Sequence, residues 1–377
     1  MWFLWVFALG LMVGSFLNVV IARLPYEKSL LWPGSRCFTC YAKIGFWDNL
    51  PVVGYLRLRG RCRACGAHFS SRYLWVELGT GLALVALFYV TVVSHAFGGP
   101  DSLRPWFPIP GLGFSYHSYT TAVPPAASIA FFLYIAALVS LLIAAAVIDA
   151  EHRIIPPLIP FTGVAIGIVG GTLMPWCWPT DSGDFRVTIP ATPWILPENW
   201  GKIPMGAQPW PFWGPLFTFA PAGSWQLGLL NSVIGALAGS LVVRWVKWLF
   251  ETGFGKEALG LGDADLLMMA GAFLGWQPAV LSLFVGAFAA LLVFKLPAMI
   301  VGAVRGSAFE RELPFGPGLA VGVVATWLAW PWVGPRVQAV FFDLPTLAVV
   351  VVVVSVGMLA AGLLLRRKDD VPEPVAR

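Results

Sequence analysis

The chain of 377 residues is strongly apolar: 58% of its residues are hydrophobic and only 11% are charged, with a mean hydropathy of +0.78. Soluble globular proteins carry about a quarter charged residues, so the composition excludes an ordinary soluble domain. The isoelectric point of 9.0 could suggest a nucleic-acid partner, but the basic residues alternate between loops as membrane topology requires. We therefore expect a lipid bilayer, and no nucleic acid, around this chain.

Apolar runs close to the roughly 20 residues that a helix needs to cross a bilayer recur along the sequence. The first run lacks the basic start of a secretory signal, so we interpret it as a retained first helix. The predicted fold is an all-α polytopic membrane protein with about eight to nine transmembrane helices. The candidate spans are 2–22, 73–94, 127–148, 157–175, 227–249, 264–278, 279–301, 315–333 and 346–365.

Positive charge is concentrated between the first two spans, in residues 24–72. Because Lys and Arg are enriched in cytoplasmic loops, this segment is predicted to be cytoplasmic and the amino terminus to lie outside. Alternation along nine spans then places three segments with few basic residues outside: 95–126, 176–226 and 334–345. The same topology puts Asp149 and Asp263 at the cytoplasmic face, at one depth.

Asp149 and Asp263 each lie where an apolar stretch meets a short polar one. A carboxylate at a membrane boundary is costly and therefore suggests function, and two that converge can share a proton as an acid/base pair. Asp149 precedes Ile155-Pro156-Pro157, where a helix must end. Gly260 and Gly262 precede Asp263 and permit unusual backbone dihedrals.

Other interpretations of these carboxylates stay open at this point. Each aspartate alone is more often a helix-end residue that reaches the headgroups, and Gly260-Leu261-Gly262-Asp263 alone is also compatible with a phosphate-binding turn. Glu151 and Asp265 are competing proton carriers. Each lies two residues from its aspartate, so a helix would turn it away.

Four cysteines form two CxxC pairs within the predicted cytoplasmic segment: Cys37, Cys40, Cys62 and Cys65. Two such pairs can supply four thiolates to one tetrahedral zinc, which would be a closed, structural site. The alternative, two disulfides, is disfavoured because cytoplasmic disulfides rarely persist. His68 is a conceivable substitute ligand, and Cys177 is predicted to lie across the membrane from the cluster.

Taken in order, these motifs resemble those of the type IV prepilin peptidases, bifunctional membrane aspartic proteases that also N-methylate their product. The residues that carry the resemblance are the first-helix segment 14–25, the two CxxC pairs, Asp149 with Ile155-Pro156, Gly260-Leu261-Gly262-Asp263, and Leu313-Pro314-Phe315-Gly316-Pro317.

The resemblance implies an enzyme of the bacterial inner membrane, with Asp149 and Asp263 catalytic. Its substrates would be type IV prepilins or type II secretion pseudopilins, cut after the Gly that ends a short basic leader. It further implies structural zinc on the four cysteines and S-adenosylmethionine as methyl donor. By the resemblance, methyl transfer would depend on the loop 24–72 and the nearby segment 14–25. The resemblance leaves open which individual residues bind the methyl donor, and it leaves open the oligomeric state.

The sequence departs from the family pattern at two site-proximal positions. Pro157 stands where the family usually has Asp or Asn, and Asp265 stands where it usually has Lys. An added anion beside a carboxylate pair is expected to move the pH optimum. A Trp- and Pro-rich outer segment and an additional carboxy-terminal helix also exceed the common pattern.

The expected organisation follows these features: 1–23, first helix; 24–72, zinc domain; 73–175, helices with the first aspartate; 176–226, outer insertion; 227–333, helices with the second aspartate; 334–377, extra helix and basic tail. Two other function classes compete. A transporter could use the aspartates as a proton relay, and a scaffold could carry the zinc module without catalysis. A zinc protease is disfavoured because the chain contains no HExxH motif.

Overall fold

The computed structural model describes residues 1–93, 126–173, 186–187, 203–204, 219–220, 225–255, 259–297, 299–300, 315–342 and 344–365. Cys177, the basic tail and most of the two predicted outer loops 95–126 and 176–226 lie outside these ranges. The helices within them are α1 (Trp2–Arg23), α2 (Val53–Arg57), α3 (Arg72–Phe88), α4 (Ala126–His152), α5 (Leu158–Leu173), α6 (Trp225–Phe254), α7 (Leu261–Leu274), α8 (Trp276–Ala289), α9 (Phe315–Phe342) and α10 (Leu344–Leu365).

The prediction of an all-helical, multi-pass membrane protein is confirmed. Besides the six longer stretches named below, two apolar segments are shorter: the helix Leu158–Leu173 and the part Phe315–Trp330 of α9. The described strands are one two-residue antiparallel pair, β1 (Arg186–Val187) and β2 (Ile203–Pro204), with Arg186 opposite Pro204. By length and composition, six stretches of the described chain can cross a bilayer: Trp2–Tyr26, Arg72–Val93, Ile129–His152, Trp225–Phe254, Trp276–Lys295 and Leu344–Leu364.

Helix α7 differs from the predicted span 264–278. It begins at Leu261 and ends before Gly275. The φ of Gly275 is 85°, a backbone angle that residues with a Cβ rarely adopt. Its 14 residues reach about 21 Å, which is less than the hydrocarbon thickness of about 30 Å. Most of its side chains are buried, because α4, α5, α6, α8 and α9 all contact it. Helix α7 is therefore an internal helix of the bundle.

Helices α6 and α7 touch through their backbones at glycine. A Cβ added to Gly271 would lie 2.0 Å from the carbonyl oxygen of Gly235, and one added to Gly235 would lie 2.1 Å from the carbonyl oxygen of Gly271. Small residues permit this approach inside a membrane, where packing rather than hydrophobicity holds helices together. The contact fixes α7 and therefore the position of Asp263 in its first turn.

The segment between α1 and α3 forms a small subdomain, residues 24–71. It contains single helical turns at Leu24–Tyr26 and Phe46–Asp48 as well as α2. Helices α1 and α3 pack closely beneath it, since a Cβ on Gly10 would lie 2.8 Å from the Cα of Gly81. The predicted cytoplasmic segment is thus compact and anchored on a helix pair.

The carboxy-terminal helix α10 packs against α6. The indole Nε1 of Trp245 donates a hydrogen bond to Ser355 Oγ at 3.3 Å, and a Cβ added to Gly362 would lie 2.7 Å from the backbone of Gly253. Most of its other side chains are exposed. It is an additional edge helix of the bundle, and it lies far along the chain from either aspartate.

We expect Gly271→Val to destabilise the protein, because the new side chain meets the α6 backbone and overpacking costs about 1–3 kcal/mol. The measurement is the midpoint of thermal unfolding in detergent. Gly79→Val is the matched control, since it places the same residue in a helix at a position with nothing within 4 Å of the added Cβ. Equal losses in the two variants would contradict the close α6–α7 contact.

Candidate active site and four-cysteine cluster

Asp149 and Asp263 converge in the structure. Asp149 lies in the last turn of α4 and Asp263 in the first turn of α7. The chain after α4 folds back onto the first turn of α7, so that a Cβ on Gly262 would lie 3.0 Å from the Cβ of Ile155. The two residues are 8% and 7% exposed, and their carboxyl groups interact electrostatically. Two acids 114 positions apart thus form one buried pair (263 − 149 = 114).

Each carboxylate is held by a backbone amide at the amino end of a helix. Gly316, at the start of α9, donates its N–H to Asp149 Oδ2 at 2.9 Å. Gly260, which precedes α7, donates its N–H to Asp263 Oδ2 at 3.0 Å. The amino end of a helix also favours negative charge. Within the described ranges both bonds use Oδ2, which leaves Oδ1 of each carboxylate available to a water or a substrate.

Gly316 has no space for a side chain. A Cβ at this position would lie 2.6 Å from Asp149 Oδ2, so only glycine lets the helix end approach the carboxylate. In the sequence, Gly316 is noted only as part of the segment 313–317, which resembles a motif of the prepilin peptidases. Its contact with a residue 167 positions earlier has no local signal in the chain.

Glu151 and Asp265, the two competing proton carriers, each lie close to a basic residue on another helix. Glu151 forms an ion pair with Arg72 at the start of α3. Asp265 lies 3.6 Å from the guanidinium of Arg244 on α6. The anion that replaces the family's usual Lys therefore has a cationic partner of its own, which weakens the expected effect of that replacement on the pH optimum.

The four cysteines form a cluster whose ligand atoms all lie within 4.8 Å of one another. Cys37 Sγ is 3.8 Å from Cys65 Sγ, and Cys40 Sγ is 3.9 Å from Cys62 Sγ. Tetrahedral zinc with Zn–S bonds of about 2.3 Å requires sulfur separations of about 3.8 Å. A disulfide would require about 2.05 Å, so these thiols are free and their spacing fits zinc.

The two CxxC segments have the same backbone hydrogen bonds. The amides of Cys37 and Cys62 donate to the carbonyls of Ala42 and Ala67. The amide of the residue that follows each CxxC pair donates to the carbonyl of the first cysteine of that pair. In these turns, backbone N–H groups point towards cysteine sulfur atoms. The N–H groups of Cys40 and Thr39 lower the pKa of the Cys37 thiol to about 6, which favours the thiolate that a metal binds.

The pKa of the Cys65 thiol is shifted in the opposite direction from that of Cys37. The amide of Ala67 lowers the pKa of Cys65, but hydrogen bonds from the other thiols, with burial, raise it to about 12. Four thiolates without a cation would repel one another. A divalent ion would relieve this repulsion. His68, the substitute ligand considered from the sequence, is not part of the cluster.

A second buried polar pair lies between α1 and α3. Glu77 is 8% exposed and accepts a hydrogen bond from the Val52 N–H at 2.7 Å. Asn18 is 2% exposed, and its Nδ2 donates to the Tyr73 carbonyl at 3.0 Å. No motif in the sequence singles out Glu77, although an ionisable residue inside an apolar span is a signal of function.

Two family models match the chain. The model described as the bacterial peptidase A24 N-terminal domain matches residues 8–91, a range that includes the four cysteines and Glu77. The model of the type IV leader peptidase family matches residues 208–295, a range that includes Asp263. Asp149 lies between the two matched ranges.

Relatives named prepilin leader peptidase/N-methyltransferase match most of the chain. The protein of Burkholderia pseudomallei strain 1026b is 30% identical over 344 residues, which cover 84% of this chain and 82% of the relative. That of Klebsiella pneumoniae is 31% identical over 73% of this chain and 87% of the relative. That of Pseudomonas putida is 28% identical over 86% of this chain and 88% of the relative. No solved structure matches the chain. The extent and identity of these matches place the chain in the type IV leader peptidase family.

Proposed function

We propose that this chain is a prepilin leader peptidase and N-methyltransferase in which Asp149 and Asp263 hydrolyse the peptide bond. The observation that carries the proposal is the convergence of the two buried carboxylates, each held by a helix-end amide through Oδ2. Family membership and the names of the relatives support the activity.

The proposed chemistry needs one proton shared between the two acids. The ionised carboxylate takes a proton from a water molecule, and the water oxygen attacks the scissile carbonyl carbon. The protonated carboxyl group donates to the carbonyl oxygen and a proton then passes to the leaving amine. The pair acts as one coupled titrating unit, so neither aspartate has a fixed role. No covalent intermediate with the enzyme forms.

The position of the carboxylates at an end of the bundle supports this reaction. Asp149 is in the last turn of α4, three residues before the helix ends at His152 (152 − 149 = 3), so the pair is at an end of the bundle. A transporter's proton relay would more often lie near the midplane. The basic segment 24–72 at the same end supports a cytoplasmic location. The site then faces a leader that has stayed in the cytoplasm, at the inner membrane of a bacterium.

The substrates proposed here are type IV prepilins and type II secretion pseudopilins. Cleavage follows the Gly that ends a short basic leader and precedes an apolar helix lying in the membrane. The apolar helix of such a substrate can lie along the lipid-facing side of the bundle while its polar leader stays at the aqueous end. This arrangement presents the junction between leader and helix at the depth of the two aspartates.

The four cysteines would hold one zinc ion as a closed structural site. With all four positions taken by sulfur, no open position for substrate or water is left. The ion would join the two CxxC turns, and therefore the two halves of the subdomain 24–71, into one unit. S-adenosylmethionine would supply the methyl group for the new amino terminus.

We expect Asp149→Asn and Asp263→Asn each to abolish processing of a co-expressed prepilin, because an amide keeps the shape of the acid but cannot transfer its proton. The decrease should be at least about a hundredfold, as for loss of general acid–base catalysis. The measurement is the size shift of the substrate at matched membrane levels. Asp265→Asn is the control and should retain processing. Cleavage that persists in either active-site variant would remove that residue from the mechanism.

Gly316→Ala should reduce processing by about tenfold or more, because the added methyl group displaces the amide that holds Asp149 and losing a hydrogen bond to a charged group costs about 1.5–3 kcal/mol. Initial cleavage rates in detergent with a purified prepilin measure the effect. Gly79→Ala makes the same substitution where no atom lies near the new Cβ. Full activity in Gly316→Ala would show that the amide contact is dispensable.

Purified protein should contain about one zinc per chain by elemental analysis, and Cys40→Ser should lose it and unfold at a lower temperature. Structural zinc contributes directly to folding, so chelation should lower the unfolding midpoint of the wild type in the same way. His68→Ala should keep its zinc. A metal content that falls in His68→Ala and not in Cys40→Ser would refute the four-cysteine site.

A further inference from the structure

A cavity of about 550 Å³ lies beside the candidate active site. Residues 24–30, except Tyr26, form one wall, and residues 154–158 form the other. Ligand sites in proteins usually occupy about 300–1,000 Å³, so the space is sufficient for more than one large side chain of a bound peptide. Neither Asp149 nor Asp263 lines it. The proposed acid–base chemistry therefore leaves this cavity without a role.

The wall 154–158 joins the cavity to the pair of aspartates. The Arg153 N–H donates to the Asp149 carbonyl oxygen at 2.9 Å, and a φ of 56° at Arg153 turns the chain back after α4. Such a φ is uncommon for a residue with a side chain. Ile155, inside this wall, contacts Gly262 in the first turn of α7, the turn that carries the second aspartate. A peptide whose scissile bond lies at the two carboxylates therefore has its adjacent residues beside the cavity.

The wall 24–30 is held by the last residue of α1. The Arg23 guanidinium donates to the carbonyl oxygens of Ser29 and Leu30 at 2.9 and 3.4 Å. The Lys28 N–H donates to the Arg23 carbonyl oxygen at 3.1 Å. These bonds close the segment into a compact turn on the end of the helix. The shape of the cavity is therefore set by the fold, as in most ligand sites.

The lining of the cavity is mostly apolar. Three of its eleven residues are polar, and all three are exposed: Glu27, Lys28 and Ser29. The opposite charges of Glu27 and Lys28 leave the lining without net charge. Ile154 and Leu158, on the other wall, are 47% and 55% exposed, so apolar surface is left uncovered. An apolar occupant is favoured because it removes this surface from water.

Of the three parts of the proposed substrate, the apolar one fits this lining. The leader is basic, and a lining without net charge offers it no counter-charge. The Gly that ends the leader has no side chain to fill a pocket. The residues after the cut begin an apolar helix, and burial of a large apolar side chain is strongly favourable. The matching occupant is therefore the start of the mature segment, on the carboxy-terminal side of the scissile bond.

Pro157 makes the cavity of this chain more apolar than the family pattern. It directly precedes α5, and its carbonyl oxygen accepts from the Phe161 N–H at 3.0 Å. This is the N-cap position of the helix, where Asp or Asn, the family's usual residues, would accept a backbone N–H through the side chain. Proline has no such side-chain oxygen, and it lines the cavity. The departure thus exchanges a helix cap for apolar surface.

We propose that this cavity is the pocket for the first apolar side chains after the scissile bond, and that Pro157 strengthens its preference for apolar residues. The proposal rests on the peptidase half of the proposed function and adds the residues that select the substrate. Ile154, Pro157 and Leu158 contact the selected side chain, while the two aspartates act on the bond before it.

Initial cleavage rates of purified prepilins in detergent test the pocket. The prepilins differ only in the first residue after the Gly, which is Phe, Ala or Ser. The wild type should cut the Phe form with a kcat/KM about tenfold or more above that of the Ala form, because removing apolar groups from a ligand of a hydrophobic pocket costs at least that factor. Equal values for the two forms would overturn the pocket.

Ile154→Trp should fill the pocket and remove this preference. We expect its KM for the Phe form to rise about tenfold with kcat retained, because binding alone is lost, and its KM for the Ala form to change little. Ile166→Trp is the matched control, since Ile166 is 37% exposed on α5 and does not line the cavity. It should keep the wild-type preference. An unchanged preference in Ile154→Trp would leave lipid or detergent as the occupant and overturn the proposal.

Pro157→Asn restores a residue that the family usually has. Asn is favoured at the N-cap, so the midpoint of thermal unfolding should not fall. The ratio of kcat/KM between the Phe form and the Ser form should decrease by about threefold to tenfold, because a polar side chain replaces apolar lining. An unchanged ratio in a variant of normal stability would refute the role of Pro157.

Photo-cross-linking separates the pocket from the peptidase function. A prepilin that carries benzophenone on the first residue after the Gly is bound to Asp149→Asn and irradiated. Label should appear in residues 24–30 or 154–158, and its absence there would overturn the pocket even if the wild type cleaves prepilins. Failure of the wild type to cleave any prepilin would overturn the peptidase function, and label in the pocket would then still support binding of the apolar segment.

Discussion

The burial of two carboxylates is the constraint on which the rest of this structure depends. A buried charge costs several kcal/mol unless it is hydrogen-bonded or paired, and here two acidic side chains are buried close together. Backbone amides at the starts of α7 and α9 provide the compensation. The positions of those helix ends therefore decide whether the pair can exist. Glycine is required at Gly316 because a side chain would separate amide from carboxylate.

Close packing of small residues fixes the helix ends. Helix α7 touches α6 at Gly235 and Gly271, and it meets α5 where a Cβ on Gly167 would lie 2.8 Å from the Cβ of Ala272. Contacts between backbones allow little sliding, since any shift produces a steric clash rather than a change of rotamer. An internal helix held on several sides can keep a carboxylate in place more precisely than one that faces lipid. This explains why the second aspartate is carried by a short, buried helix.

The sequence predicts the features of this fold that depend on residues close together in the chain. Spans follow from hydropathy because a bilayer requires continuous apolar helices, and the cysteine cluster follows from CxxC spacing because zinc has one preferred geometry. The end of α7 is misjudged because apolar residues continue through Gly275, and only the backbone angle of that glycine marks the break. The amide of Gly316, the Arg244 partner of Asp265 and the acceptors at Glu77 and Asn18 depend on contacts between distant segments, which no local pattern encodes.

The cysteine subdomain is tied mechanically to the candidate active site. Arg72, where α3 leaves the subdomain, pairs with Glu151, and Tyr26 packs edge-on against His152 with ring centroids 5.6 Å apart. Both contacts fall within three residues of Asp149, on the last turn of α4. A displacement of the subdomain would therefore pull on the helix end that carries the first aspartate. An ion bound by the four cysteines would stiffen the subdomain, and the subdomain contacts α4. The proposed structural ion would therefore influence the geometry of the acid pair although none of its ligands is near the aspartates in the chain.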